Sequence, residues 1–265
     1  MKSLLASTAL AFAAGLLAPA AQARSEAPAP SGKPTVVLVH GAFADSSSWN
    51  GVITLLERDG YKVVAAANPL RGVRSDADEV SDIVKSIDGP VVLVGHSYGG
   101  SVISEAAEGQ GNVKALVYVA AFAPEAGETA LGLTGKFPGS TLGPTLAPPV
   151  HLTGGGDDLY IQQSRFPDQF AADVPLAAAR LMAAGQRPIA QAALSEASTA
   201  PAWKHVPSWF VYGDKDRNIP PAAMSFMAER AHAREAVVVK GASHVVMVSN
   251  APVVAALIER AATAR

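Results

Sequence analysis

Cysteine is absent from the 265 residues. That excludes disulfides, thiolate metal sites, a cysteine nucleophile and lipid attachment at a leader cysteine. A chain of this length can rest on its hydrophobic core alone. Positive charge is also not concentrated. The 21 Lys and Arg against 23 Asp and Glu leave a formal net charge of −2 with no long basic run, so nucleic acid is not an expected partner. None of the six histidines forms an i, i+4 pair of the kind that holds a metal on a helix. Internal repeats are lacking. What is abundant is apolar: 49% of residues are hydrophobic, enough for a large core, and the length fits one domain.

The first residues stand apart from that core. Lys2, the apolar run from Leu4 to Leu17 and Ala21-Gln22-Ala23 form the pattern of a secretory signal peptide over residues 1–23, cleaved after Ala23. The run is shorter than the roughly 20 residues a spanning helix needs. The expectation is an exported protein, periplasmic or secreted, with no stable membrane anchor. Residues 24–34, with Pro28, Pro30 and Pro34, suit a flexible linker.

The stretch that organises the rest is Val91-Val92-Leu93-Val94-Gly95-His96-Ser97-Tyr98-Gly99-Gly100. Four apolar residues predict a buried strand, Gly-x-Ser-x-Gly follows, and Ser101 to Ala107 predicts a helix. A strand that turns sharply into a helix through this pattern is a nucleophile elbow. Glycine at 95 and 99 leaves room for the turn, and the helix N-terminus beside Ser97 favours developing negative charge.

Around it the chain alternates. Thr35–Val39 is an unbroken apolar strand, followed by His40-Gly41-Ala42-Phe43. Trp49, Val52, Ile53 and Leu56 give a helix one buried stripe, and Gly60 stops it. Lys62–Ala66 is a strand. Val80, Ile83, Val84 and Ile87 repeat the stripe, with Ser75 and Asp78 shaped like a capping box at its start. Val113–Val119 is the next strand. This β-α-β-α-β-α-β order predicts an α/β fold with a mostly parallel sheet and right-handed crossovers.

The rhythm breaks over about 124–207. A hairpin is expected where His151-Leu152-Thr153 and Leu159-Tyr160-Ile161 flank a glycine-rich turn, and Phe166 to Leu194 is expected to be mostly helical. Order then resumes with a strand at Ser208–Tyr212, a helix at Pro221–Ala231 and a strand at Ala236–Lys240. A last helix follows, capped by Asn250 and turned inward at Val253, Leu257 and Ala261.

A serine hydroxyl needs a base, and the base needs a third group to orient it. Of the six histidines, only His244 follows a late strand at the edge that carries Ser97. Two aspartates of the preceding strand's loop, Asp214 and Asp216, compete as the third group.

Four pieces in this order, Val39-His40-Gly41-Ala42-Phe43, Gly95-His96-Ser97-Tyr98-Gly99-Gly100, Gly213-Asp214-Lys215-Asp216-Arg217-Asn218-Ile219-Pro220 and Ser243-His244, resemble the α/β-hydrolase fold superfamily. The similarity is to its serine esterase and lipase-like enzymes, in the cofactor-free branch near plant hydroxynitrile lyases, methyl-ester hydrolases and pyrethroid-type esterases. The resemblance covers Thr35 to the C-terminus and implies a central sheet flanked by helices, with a cap insertion at 124–207.

It further implies a Ser97-His244-Asp216 triad acting on a small-molecule ester through an acyl-enzyme. The family pattern places the acid just before the x-x-Ile-Pro segment, which favours Asp216 over Asp214. The implied oxyanion hole is the backbone N–H of Tyr98 with that of Ala42 or Phe43. His40 is expected to brace its own loop. No metal and no organic cofactor are implied. Oligomeric state and natural substrate are not legible. The alternatives are a lyase, a perhydrolase or a small-molecule-binding relative of the same fold. Val245 after His244 and Gly41 after His40 depart from the lysine and threonine of the plant lyases, and Ser97 departs from the aspartate of epoxide and haloalkane hydrolases.

Overall fold

The computed structural model describes residues 32–264. The expected signal peptide and most of the expected linker lie outside the described residues. Six strands form the main sheet: β1 (Thr35–Val39), β2 (Val63–Ala66), β3 (Val91–His96), β4 (Val113–Val119), β8 (Ser208–Gly213) and β9 (Glu235–Val239). Their order is β2-β1-β3-β4-β8-β9, and every pairing is parallel. Parallel strands are covered on both faces. Accordingly every residue of β1 and β3 is buried, while the edge strands β2 and β9 are only half-buried for most of their length.

The flanking helices are α1 (Asn50–Arg58), α2 (Val73–Lys85), α3 (Tyr98–Ala106), α8 (Pro221–Arg230) and α10 (Ala251–Thr263), with a one-turn α9 (Val246–Ser249) before the last. From β1 the chain crosses to β2 through α1, then reverses and crosses to β3 through α2 and to β4 through α3. Crossovers of one hand in opposite directions put α1 on one face and α2 and α3 on the other. The reversal leaves a crevice beyond the C-terminal ends of β1 and β3, where open α/β sheets place their ligands.

Between β4 and β8 lie α4 (Ala130–Lys136), α5 (Phe166–Phe170), α6 (Leu176–Gly185), α7 (Gln191–Ser195) and a small antiparallel sheet. That sheet pairs β5 (Val150–His151) with β6 (Asp157–Leu159), the expected hairpin. It also pairs β6 with β7 (Ile189–Ala190), which interrupts the stretch expected to be helical.

Two expected caps are not made. Helix α2 begins at Val73 and not at Ser75. Its free N–H groups at Val73 and Arg74 are taken by the carboxylate of Glu196 from the cap, at 2.6 and 3.4 Å. Asn250 makes no capping bond to α10 and donates instead to Ser249 Oγ at 2.9 Å. The buried stripe of α10 is Val254, Leu257, Ile258 and Ala261, with Val253 half-buried beside it.

Candidate active site

The elbow is strained where it has to be. Ser97 has φ 54° and ψ −123°, a conformation outside the allowed regions for an L-residue, which costs on the order of 1–3 kcal/mol. Packing holds it there. Ser97 N–H donates to Val119 O at 3.2 Å, and Ser97 O accepts from Gly100 at 3.0 Å and Phe122 at 3.1 Å. A Cβ on Gly95 would sit 2.5 Å from Gly99 O, and one on Gly99 would sit 2.6 Å from Val39 O, so strand, helix and the neighbouring strand approach at backbone distance.

His244 lies in the loop after β9, buried, with its Nδ1 2.6 Å from Asp216 Oδ2. The other carboxylate oxygen of Asp216 accepts the N–H groups of Asn218 at 2.8 Å and Ile219 at 3.0 Å, an Asx-type turn that aims the side chain. Asp216 is therefore the carboxylate bonded to the histidine. Asp214 turns away and accepts the N–H of Gly241 at 2.6 Å, tying together the loops after β8 and β9. The bond from Asp216 occupies Nδ1 and leaves Nε2 as the free ring nitrogen of His244. Ser97 and His244 line one cavity.

Of the expected oxyanion donors, Tyr98 is the first residue of α3, so its N–H has no partner within the helix. Ala42 and Phe43 both line the cavity. Phe43 must be withdrawn as a donor, because its N–H is bonded to Arg187 O at 3.0 Å. Among the described residues the N–H of Ala42 has no protein acceptor.

His40 is buried, donates from Nδ1 to Gly41 O at 3.0 Å, and is anchored through its carbonyl by Asn68 at 2.9 Å. Burial lowers its pKa, and the ring is a neutral brace. His96, the variable position of the elbow before Ser97, is a supporting residue to which the motif assigns no role. It is fully buried, donates from Nε2 to His244 O at 3.2 Å, and its ring centroid lies 4.7 Å from that of His244. Burial holds its pKa well below the ordinary value, with the neighbouring His244 adding to the shift, so it props the loop without adding charge. A second unforeseen contact is the phenol of Tyr98, which donates to the buried carboxylate of Asp76 at 3.0 Å and ties α3 to α2.

The cavity encloses about 720 Å³, within the size range of small-molecule sites. The cap supplies much of its wall, including Leu131, Leu142, Leu146, Leu159, Phe170 and Leu194. No Lys, Arg, Asp or Glu is among the lining residues. The cap's Met182 lines a separate, smaller hollow that Phe43 also borders. Among the described residues no cluster of His, Asp and Glu could hold a metal ion.

Residues 36–257 match the model of a family described as the alpha/beta hydrolase family. The protein named alpha/beta hydrolase nvfD of Aspergillus novofumigatus is 26% identical over 249 residues, 87% of this chain and 97% of the relative. A carbendazim hydrolyzing esterase of a Nocardioides species is 31% identical over 113 residues, 38% of this chain and 47% of that protein. Among solved structures, polyneuridine aldehyde esterase superposes with a TM-score of 0.75 at 20% identity, covering 86% of this chain and 98% of that one. With the family model spanning the sheet, the elbow and the loop of His244, the chain belongs to the alpha/beta hydrolase family.

Proposed function

We propose that the protein hydrolyses carboxylic esters through an acyl-enzyme on Ser97. The observation that carries this is the buried Asp216–His244 bond of 2.6 Å, beside a serine elbow, in a cavity that serves both. The Ser97 hydroxyl attacks the ester carbonyl while His244 Nε2 takes its proton. Asp216 fixes the tautomer that leaves Nε2 free, and supports the imidazolium that forms. The tetrahedral oxyanion is met by the N–H groups of Tyr98 and Ala42, at the N-terminal end of α3. His244 then protonates the leaving alcohol. Water, deprotonated by the same nitrogen, attacks the acyl-enzyme and returns the serine.

The lining supports an ester whose acyl and alcohol parts are uncharged, since no charged side chain would meet an ionic group there. It also favours hydrolysis over cyanohydrin cleavage by a lysine-assisted route, because Val245 follows His244 and no lysine reaches the cavity. A fluorophosphonate probe should label Ser97 and should fail on Ser97→Ala. That variant should lose about 10⁴-fold or more of its turnover on p-nitrophenyl esters while keeping the wild-type melting temperature. A folded Ser97→Ala enzyme with wild-type turnover ends this assignment. A binding relative with a misaligned site would be left unlabelled from the start.

Export is proposed from the sequence alone. Protein recovered from the periplasm or medium should begin at Arg24 on N-terminal sequencing. Cytoplasmic protein still carrying Met1 would contradict it.

A further inference from the structure

The loops that carry acid and base, 213–220 and 241–245, are both gripped by one short piece of the cap, residues 168–173. On the acid side, Gln169 is buried in α5. Its Nε2 donates to Arg217 O at 2.9 Å and to Asn218 Oδ1 at 3.1 Å, and the amide of Asn218 donates back to Gln169 O at 3.2 Å. The Oε1 of Gln169 accepts from Thr141 Oγ1 at 2.8 Å. On the base side, Ser243 donates from Oγ to the carboxylate of Asp173 and lies 3.4 Å from Phe170 O. The Phe170 ring meets the His244 ring edge-on at 5.0 Å.

We propose that Gln169 is a positioning residue: from the cap it holds the 216–219 turn so that Asp216 is presented to His244, which makes a seated cap a condition of turnover. This rests on the Ser97-His244-Asp216 assignment above. A buried amide needs partners wherever it lies, so burial alone says little. The choice of partners is what matters. They are the carbonyl of residue 217 and the side chain of residue 218, immediately after the acid. The N–H of Asn218 is itself one of the two donors that aim Asp216. From cap to histidine the sequence of bonds is Gln169 to Asn218, Asn218 to Asp216, and Asp216 to His244.

The test compares Gln169→Ala, Thr141→Val and Asp216→Asn on one activated ester from about pH 5 to 9. Loss of the grip misplaces a catalytic group from a distance, so kcat of Gln169→Ala should fall about 10- to 100-fold with KM within about twofold. The acid limb of its kcat/KM profile should move to lower pH, because an imidazolium less well supported by Asp216 loses its proton more readily. Thr141→Val removes the hydroxyl partner of the same amide but keeps the Thr141 backbone N–H on Arg217 O at 2.9 Å and both bonds from Gln169 Nε2 to the acid loop, and should leave the limb in place. Wild-type kcat in a folded Gln169→Ala enzyme, or a loss of kcat with the limb unmoved, overturns the proposal.

If Gln169→Ala does not fold, Asn218→Ala removes the acceptor while keeping the backbone N–H on Asp216. A wild-type kcat or an unmoved limb there overturns the proposal equally. The two levels separate cleanly. If Asp216→Asn is crippled and Gln169→Ala is not, the grip falls alone; if Asp216→Asn retains wild-type turnover, the triad assignment falls first.

Discussion

Replacing Asp216 by Asn tests the site most sharply, because the surroundings dictate which way the new amide must face. Oδ1 of Asp216 accepts two backbone N–H groups, from Asn218 and Ile219, so that position must remain an oxygen. The NH₂ group then occupies the place of Oδ2, 2.6 Å from His244 Nδ1. The flipped amide would aim its own hydrogens at two donors and forfeit both bonds, at about 1–3 kcal/mol for each group left unsatisfied. A donor facing Nδ1 makes that nitrogen the acceptor and moves the ring proton to Nε2. In that tautomer the ring cannot take the proton of Ser97, and an imidazolium would have no anion beside it.

The serine protease precedent for this substitution is about 10⁴ in kcat, equivalent to roughly 5 kcal/mol of transition-state stabilisation. Asp214→Asn should cost less than about tenfold, because the asparagine carbonyl can still accept the N–H of Gly241. The measurement is kcat/KM for both variants on one activated ester at about pH 8. An Asp216→Asn enzyme within tenfold of wild type, or a crippled Asp214→Asn beside an active Asp216→Asn, would refute the tautomer argument. Glu125, in the loop after β4, is paired with Lys204 at 2.9 Å and does not compete for the role.

Gly99→Ala should lower the melting temperature or abolish soluble expression, since the new Cβ meets Val39 O at 2.6 Å and His40 O at 3.0 Å and neither backbone can retreat without moving β1. Gly135→Ala, in α4 with nothing within 4 Å, should be neutral or raise stability by about 0.4–1 kcal/mol in the same thermal melts. Glu105 holds the returning end of the cap by accepting from Ser198, from the backbone and hydroxyl of Thr199, and from Ala200. Burial pushes its pKa up, but these hydrogen bonds outweigh burial and the net direction is down. Its contribution is therefore fully present above the unfolded value, near 4.3, and is lost as pH falls through the lower folded value. Glu105→Gln should unfold more easily at pH 7 and show a shallower loss of stability below about pH 4.5 in denaturant titrations; an unchanged acid slope would contradict this.

What could be read from the sequence was what local pattern determines. Strands β1 and β3 are buried throughout and β4 everywhere except Lys114, so they stand out as largely apolar runs, and their alternation with striped helices dictates a parallel sheet. Ser97 was legible for the same reason, since the elbow's strain needs glycines at fixed offsets. What could not be read depends on partners far away in the chain. The N-terminus of α2 is capped by Glu196, 123 residues later, so the nearby Ser75 and Asp78 misled. Strand β7 is two residues long and exists through its pairing with β6, which a helical composition around it conceals. Ala42 and Phe43 are indistinguishable as oxyanion donors in the sequence, because the acceptor that takes the Phe43 N–H, Arg187 O, belongs to the distant cap.

The same distinction explains why the cap is both the least legible part of the chain and the part that finishes the site. A parallel sheet can place Ser97, Asp216 and His244 at the ends of three strands, but it fixes only the backbone where each strand stops. The last ångström comes from side chains laid across the loops. Asn218 and Ile219 aim Asp216, Gln169 holds Asn218, His96 props the carbonyl of His244, and Asp173 holds Ser243. Two of those five residues, Gln169 and Asp173, belong to the cap, and these two lie in none of the four pieces by which the sequence resembles its family. Misplacement by about 1 Å can cost a hundredfold in rate. Within the proposed mechanism, the contacts made by Gln169 and Asp173 therefore matter as well as the cavity wall. Exchanging this cap for another to change substrate range should fail unless those two contacts are carried across with it.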